Sequence, residues 1–300
     1  MAAFETADVP VRREASMMRY MVGIRRAGHK LAQEPLGLAG SVILGLVVLI
    51  AILAPLLAPY DPTLQNLDNA LQAPSAAHWA GTDEFGRDIF SRLIYGTRIT
   101  IQTVLAVSLI VGPFGLTVGV VAGFLGGRVD ALLMRVTDIV LSFPSLILAL
   151  AFAAALGAGL NTAIIAISLT AWPPIARLAR AEALVIRNTD YVAAARLYGA
   201  SAWRLLFFYI APMCIPSVVV RLTLSMAGII LTAASLGFLG LGAQPPAPEW
   251  GAMISNGRKF MLDHWWVAVM PGVAILITSL AFNVVGDTLR DILDPRHARS

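Results

Sequence analysis

The chain of 300 residues contains few of the residue types on which soluble enzymes rely. Only 13% of its residues are charged, four are histidine and one is cysteine, Cys214. A single cysteine excludes an internal disulfide and most cysteine-based metal sites. The two lysines, Lys30 and Lys259, do not stand in a G-x-x-x-x-G-K-[ST] sequence, so the chain lacks an ATP-phosphate loop of that kind. Energy for any driven process must come from a partner or from an ion gradient.

Long uncharged runs of residues separate the few charged ones. Hydrophobic residues make up 58% of the chain and the mean hydropathy is +0.76, outside the usual range of soluble domains. This composition predicts an all-α polytopic membrane protein with six transmembrane helices. A single crossing needs about 20 residues, so the longest run is divided in two at Gly157, Gly159 and Asn161. The predicted spans are residues 35–60, 99–127, two helices of a hairpin within 139–176, 209–237 and 265–286.

Basic residues are distributed unevenly between the loops. If both termini lie in the cytoplasm, sixteen lysines and arginines lie on that side and five on the other. This asymmetry favours that orientation, because cytoplasmic loops are enriched in Lys and Arg. Residues 1–34 are then a cytoplasmic N-terminal segment, residues 61–98 a periplasmic loop, and residues 291–300 a cytoplasmic tail.

A short amphipathic segment from Tyr191 to Pro212 separates the fourth and fifth predicted spans, and a helix is expected at about residues 190–203. Its alanines combine strong helix propensity with little bulk, and Gly199 would let another surface approach the backbone. Pro212 is expected to mark where the chain turns back into the membrane. We interpret the segment as a protruding docking site for another protein. The alternative is a helix lying on the membrane surface, which the scarcity of bulky apolar anchors disfavours. The residues assigned to docking are Ala193, Ala194, Ala195, Arg196, Gly199, Ala200, Ser201 and Pro212.

A polar motif, GTDEFGRD, lies in the predicted periplasmic loop. Two acid–base pairs, Asp83 with Arg87 and Asp88 with Arg92, are spaced four residues apart and can pair along a helix. The structural interpretation is therefore a self-satisfied amphipathic helix that leads into the second span. The residues assigned to this motif are Gly81, Thr82, Asp83, Gly86, Arg87, Asp88 and Arg92.

Four motifs in fixed order identify a family resemblance. They are GTDEFGRDIFSRLIYG (81–96), the segment at 191–212, LGFLGLGAQPPAPEWGAM (236–253) and GDTLRDILDPR (286–296). Over nearly the whole length from the first span to Arg296, the chain resembles the C-type permease subunit of dipeptide, oligopeptide and nickel ABC importers. The resemblance implies a type I importer permease fold, with a core at 99–290, a coupling helix between spans four and five, and a place in the bacterial inner membrane.

The resemblance also implies partners. These are a second homologous permease subunit, two ATPase subunits that bind ATP and Mg, and an extracytoplasmic solute-binding protein, while this chain is no enzyme and binds no cofactor. The 191–212 segment would dock on an ATPase, and the 81–92 motif would lie near the gate or the binding protein. Di- or oligopeptides are the implied substrates, with nickel complexes or another small solute as the alternative. Ala193 stands where the family usually has Glu, which removes one expected ionic contact.

One charge, Arg221, lies inside a predicted span, about 22 Å past its cytoplasmic start at the helical rise. Such a charge is expensive in lipid and often functional. Asp138 follows Arg135 by three residues, which predicts a local pair nearer the cytoplasm. One hypothesis is that Arg221 faces the translocation path and attracts a substrate carboxylate. The alternative is a structural pair with a group on the partner subunit.

Two other classes of membrane protein fit the sequence less well. A secondary transporter usually shows repeated halves and several intramembrane carboxylates, and the sequence shows neither. A membrane enzyme would need a convergent set such as H-E-x-x-H, yet no histidine lies well inside a predicted span. Both classes also leave the 191–212 segment unexplained.

Overall fold

A computed structural model describes residues 34–293, so most of the predicted N-terminal segment and C-terminal tail lies outside the described residues. The described part contains no β-strand, and its α-helices are numbered here in chain order. They are α1 (Pro35–Leu57), α2 (Ile89–Leu125), α3 (Gly127–Ser142), α4 (Ser145–Leu156), α5 (Leu160–Ala171), α6 (Pro173–Ile186), α7 (Asp190–Leu197), α8 (Ala202–Phe238), α9 (Trp250–Gly257) and α10 (Trp266–Leu293).

Five helical stretches are long and apolar enough to cross a membrane: α1, α2, α5 with α6, α8 and α10. A sixth span is formed when α3 and α4, which meet at a bend of 92°, are taken together. The predicted division of the 139–176 run is confirmed, since α4 ends at Leu156 and α5 begins at Leu160. Gly157 lies between them with a φ of +91°, a conformation that favours glycine. The all-helical class is therefore confirmed, and the described residues contain five spans, or the predicted six when α3 and α4 count as one.

The second span begins ten residues earlier than the sequence predicted. The predicted loop ran to Arg98, but α2 starts at Ile89, where the Asp88 carboxylate accepts a hydrogen bond from the Ser91 backbone N–H at 2.7 Å. The sequence-based prediction placed the start of the span directly after Arg98, because Arg98 is the last charged residue before the uncharged run. The helix continues through Arg92 because that side chain is buried and bonded at the loop end of α2 rather than exposed to lipid.

Helices α2 and α6 approach closely through small residues. A methyl group added to Gly119 would lie 2.6 Å from the Cβ of Ala179, and one added to Gly123 would lie 2.8 Å from the Cβ of Ala183. Ala179 and Ala183 are fully buried. Small residues at such positions let membrane helices gain van der Waals contact along their backbones, so this seam fixes α6 against the 37-residue helix α2.

Ion pairs join α6 to α3 beside that seam. Arg180 Nη2 lies 2.6 Å from Asp130 Oδ2, and Arg177 Nη2 lies 2.6 Å from Asp138 Oδ1. The predicted pair of Asp138 with Arg135 is wrong. Spacing along one helix suggested a local partner, whereas the packing of α3 against α6 supplies a partner thirty-nine residues away.

We expect Gly119→Leu to lower the free energy of unfolding by about 2 to 3 kcal/mol, because the added side chain overfills the α2–α6 seam. Gly45→Leu is the matched control, since Gly45 lies in a span-forming helix with nothing within 4 Å of an added Cβ. Thermal unfolding of the purified proteins in detergent measures both. Equal melting temperatures for the two variants would show that the seam is not closely packed.

Candidate functional site

The segment between α6 and α8 is a helix–turn–helix rather than the single helix predicted at 190–203. Helix α7 ends at Leu197, and Gly199 follows with a φ of +79°. The Gly199 N–H donates to the Arg196 carbonyl at 3.0 Å and the Ala200 N–H donates to the Ala195 carbonyl at 3.1 Å. This hydrogen-bond pattern is the Schellman motif, which closes a helix with glycine in the left-handed region.

Gly199 therefore has a conformational role within the chain. An added Cβ would have no heavy atom of residues 34–293 within 4 Å, so no neighbouring part of the described chain demands a small residue there. The Ser201 hydroxyl then accepts a hydrogen bond from the Arg204 N–H at 3.4 Å and starts α8. A glycine is needed because the backbone reverses here, and the predicted close approach of another surface remains a proposal.

The 190–204 segment has one buried side and one exposed side. Val192 and Ala195 are buried and belong to the same apolar core as Leu205 and Leu206. The assigned residues Ala193, Ala194, Arg196, Gly199 and Ser201 are exposed, whereas Ala200 is half-buried. The buried Ala195 thus anchors the segment, and its exposed neighbours are free to meet a partner.

Bulky apolar side chains cover the exposed side, contrary to the expectation that few such anchors exist. Leu197 is 89% exposed, Tyr198 93% and Trp203 70%. Sequence reasoning considered only the alanine-rich half of α7 and missed these three, because they lie around the turn that Gly199 creates. The described surface combines small residues with three large anchors.

The sequence suggested that the chain turns at Pro212, but the structure has no turn there. Helix α8 runs without interruption from Ala202 to Phe238, and residues Leu205–Ile210 form a π-helical turn. Pro212 lacks an N–H and its ring crowds the carbonyl four residues earlier. A wider π turn just before it accommodates that defect, with the Ala211 N–H donating to the Leu206 carbonyl. The segment is therefore continuous with a membrane span.

The 190–204 segment is tied to both flanking spans. Arg187, at the end of α6, donates from Nη1 to the Gly123 carbonyl of α2 at 2.6 Å. On the other side the rings of Tyr191 and Tyr209 lie 5.4 Å apart. The segment thus has little freedom to move independently of α6 and the start of α8.

The 81–92 motif lies at the opposite end of α2 and is organised around one carboxylate. Asp83 Oδ1 accepts from the N–H groups of Phe85 and Arg87 at 2.9 and 3.0 Å, and Oδ2 lies 2.7 Å from Arg87 Nε and 3.6 Å from Arg92 Nε. The predicted Asp83–Arg87 pair is confirmed. The predicted helix is wrong for residues 81–88, which form a loop whose carboxylate bonds its own backbone.

The predicted pair of Asp88 with Arg92 is wrong. Asp88 caps α2 and lies 2.9 Å from Nδ1 of His78, while Arg92 donates to the Pro62 carbonyl at 2.7 Å. Thr82 is also buried, and its Oγ1 accepts from the Gln72 N–H at 2.8 Å. Once α2 starts at Ile89, Asp88 precedes the first helical turn and serves it as a cap.

Two glycines let the loop fold onto itself. Gly81 and Gly86 have φ values of +77° and +67°. An added Cβ at Gly81 would lie 2.6 Å from the Gln72 carbonyl oxygen, and one at Gly86 would overlap the backbone of Asn66. The charged side chains of Asp83, Arg87, Asp88 and Arg92 are almost fully buried, so the motif acts as a brace for the start of α2.

The brace extends to the loop between α8 and α9. Trp250 Nε1 donates to the Leu93 carbonyl at 3.2 Å, and Glu249 caps α9 by accepting from the N–H groups of Gly251 and Ala252 at 2.9 and 2.7 Å. Burial raises the pKa of Glu249. Sequence reasoning did not single out Glu249, although an acidic residue directly before a helix is a capping signal.

Arg221 lies near the middle of α8 and is exposed. Among residues 34–293 no carboxylate oxygen lies within 4.0 Å of its guanidinium. Asp138, the acid considered from the sequence, is paired with Arg177. Arg221 is thus a charge deep in a span without an acidic partner in the described chain.

Comparison with solved structures defines the class of fold. The chain is similar to a chain of the MetNI methionine ABC transporter in inward-facing conformations, with a TM-score of 0.56, 21% sequence identity and coverage of 69% of this chain and 98% of that one. An all-helical bundle with this architecture is the fold of a type I ABC importer permease.

Sequence comparison then shows the family. Residues 115–299 match the family described as "Binding-protein-dependent transport system inner membrane component", and residues 24–74 match the "N-terminal TM domain of oligopeptide transport permease C". The chain belongs to the family of binding-protein-dependent transport system inner membrane components, as a membrane-spanning permease subunit.

Curated relatives align over almost their whole length. The probable D,D-dipeptide transport system permease protein DdpC of Escherichia coli (strain K12) is 47% identical, covering 94% of this chain and 96% of that protein. The di/tripeptide transport system permease protein DppC of Pseudomonas aeruginosa is 45% identical, covering 92% and 93%. The glutathione transport system permease protein GsiD of Pectobacterium atrosepticum is 40% identical, covering 97% and 96%.

Asp83→Asn should lower the free energy of unfolding by about 3 to 5 kcal/mol, because two buried guanidinium groups lose their shared carboxylate. Asp68→Asn, an exposed position in the same loop, is the control. Thermal unfolding in detergent, followed by tryptophan fluorescence, measures both changes. An unchanged melting temperature for Asp83→Asn would contradict the role of Asp83 as the centre of the brace.

Proposed function

We propose that this chain forms half of the translocation path of an ATP-driven importer of di- or oligopeptides. The substrate assignment is supported by the relatives, which are named as D,D-dipeptide, di/tripeptide and glutathione permeases. The chain itself makes and breaks no covalent bond.

The proposed complex contains a second homologous permease, two ATPase subunits and an extracytoplasmic solute-binding protein. The ATPases bind ATP and Mg, in keeping with the lack of a G-x-x-x-x-G-K-[ST] sequence in this chain. Both termini face the cytoplasm of a bacterial cell, so the 190–204 segment is cytoplasmic and the 81–92 brace is periplasmic. The brace would then support the surface that the binding protein approaches.

The observation that carries the proposal is the exposed side of the 190–204 segment. Leu197 and Tyr198 are almost fully exposed, although the segment itself is held by buried residues between two spans. Tyrosine and tryptophan side chains such as Tyr198 and Trp203 are typical of the centre of protein interfaces. They fit a cleft on an ATPase subunit, with Ala193 and Ala194 letting the cleft approach the helix.

The coupling mechanism follows from the attachment of the segment. Because Val192 and Ala195 pack in one core with Leu205 and Leu206, a displacement of α7 displaces the start of α8. Closure of the ATPases would move the segment and, through α6 and α8, reorient the spans between outward-facing and inward-facing states. The chain is the mechanical element of the importer.

The double variant Leu197→Ser, Tyr198→Ser should reduce recovery of the ATPase subunits at least tenfold in an affinity pull-down from gently solubilised native membranes, because it removes two interface anchors. Mass spectrometry of the recovered proteins gives the measurement. Leu262→Ser is the control, since Leu262 is 98% exposed near the opposite end of the bundle.

Recovery of a homologous permease and ATPases with the wild-type chain, retained in Leu262→Ser and lost in the double variant, is the expected result. If the wild-type chain is recovered without ATPases and still supports gradient-driven uptake, the importer assignment is overturned. If the double variant retains its ATPases, the docking role of the segment is wrong.

A further inference from the structure

A polar face runs along the membrane-spanning helix α8, on a side that the described bundle leaves exposed or half-buried. Six positions three or four residues apart share this face: Ser217, Arg221, Ser225, Gly228, Thr232 and Ser235. All are exposed or half-buried, and within the described part of the chain an added Cβ at Gly228 would have no atom within 4 Å. The helix is otherwise strongly apolar, with a mean hydropathy of 1.9 over its most apolar window.

Arg221 lies at the centre of this face. At 1.5 Å per residue it is about 28 Å from Ala202 and about 26 Å from Phe238 along the helix. Glu182 is the acid bonded to this face, and its Oε1 accepts from Ser217 Oγ at 3.0 Å. That contact is one turn from Arg221, and the carboxylate does not come within 4.0 Å of the guanidinium.

This face does not suit contact with lipid. An arginine at mid-span is expensive in hydrocarbon unless it meets water or an opposite charge. The hydroxyl groups of Ser225, Thr232 and Ser235 donate to carbonyls one turn earlier at 2.9, 2.8 and 2.7 Å, so their oxygens still have lone pairs free to accept. A surface with these groups is suited to a polar solute or to water.

We propose that Arg221 is a specificity-determining residue of the translocation path and attracts the negative charge of the peptide that passes it. The proposal rests on the proposed function, because it requires that α8 borders the path. A fixed guanidinium at mid-membrane favours a carboxylate and opposes an additional positive charge. The charge complementarity predicts that the benefit of Arg221 depends on the net charge of the transported peptide.

The test is ATP-driven uptake into proteoliposomes that contain the whole importer with its binding protein. The probes are three radiolabelled dipeptides of different net charge: Ala-Glu, Ala-Ala and Ala-Lys. Each result is the ratio of the Arg221→Gln rate to the wild-type rate for one peptide at saturating binding protein, so the affinity of the unchanged binding protein cancels.

Arg221→Gln should reduce uptake of Ala-Glu about tenfold, of Ala-Ala less, and of Ala-Lys least, because the lost attraction scales with the charge of the peptide. Arg221→Lys should keep the wild-type order, since it keeps the charge. Arg128→Gln is the matched control, as it makes the same substitution at an exposed arginine in the first turn of α3.

An equal reduction for all three peptides would overturn the proposal and would indicate a structural pair with the partner subunit. An unchanged rate for all three would overturn it as well. Failure of the proposed function has a different result, because the wild-type complex would then show no ATP-driven uptake of any of the three peptides.

Discussion

The close contact between α2 and α6 is the constraint on which the rest of the described structure depends. Glycines on α2 meet alanines on α6 with no room for an added methyl group. In a membrane, where lipid tails compete equally well for apolar side chains, such contact is a main source of helix association. The seam places the end of α6 beside α2, and Arg187 fixes that position by bonding the Gly123 carbonyl. The 190–204 segment begins at this point, so its location follows from the seam.

Helix α8 connects the 190–204 segment to the polar face that contains Arg221. Helix α8 begins in the segment at Ala202, passes through the π turn before Pro212, and carries Arg221 at mid-span. A rigid helix of 37 residues is about 55 Å long and extends beyond the hydrocarbon core. In the proposed mechanism, the part that meets the ATPase is therefore the start of α8, and the part that meets the substrate is the middle of the same helix. The buried brace at the other end of α2 gives the bundle a fixed reference against which α8 is able to move.

The sequence predicted the parts of the fold that depend on hydrophobicity along the chain. The six spans, the hairpin break near Gly157 and the amphipathic segment all follow from counting apolar residues and glycines. The ends of the helices and the partners of the ion pairs were predicted less well. Asp138 was assigned to Arg135 and Asp88 to Arg92, because spacing on one helix was the only information about contacts. The true partners, Arg177 and His78, come from other parts of the chain.

The site was predicted in outline and missed in detail for a related reason. Residues Ala193 to Ser201 were predicted to form a docking element, which stays a prediction. Leu197, Tyr198 and Trp203 were not singled out, because their exposure depends on the backbone reversal at Gly199. Pro212 was expected to end a helix, and the π turn that accommodates it cannot be deduced from the proline alone. Glu249 was overlooked because its role as a cap appears only when α9 is known to begin at Trp250.

The central claim is that this chain moves solute only when partner ATPases drive it. The most direct measurement is dipeptide uptake into proteoliposomes containing this chain, its partner permease, the two ATPases and the binding protein, with and without ATP and with an imposed ion gradient. We expect uptake that requires ATP and every subunit and that does not respond to the gradient. Uptake driven by the gradient in vesicles that contain this chain alone would contradict it.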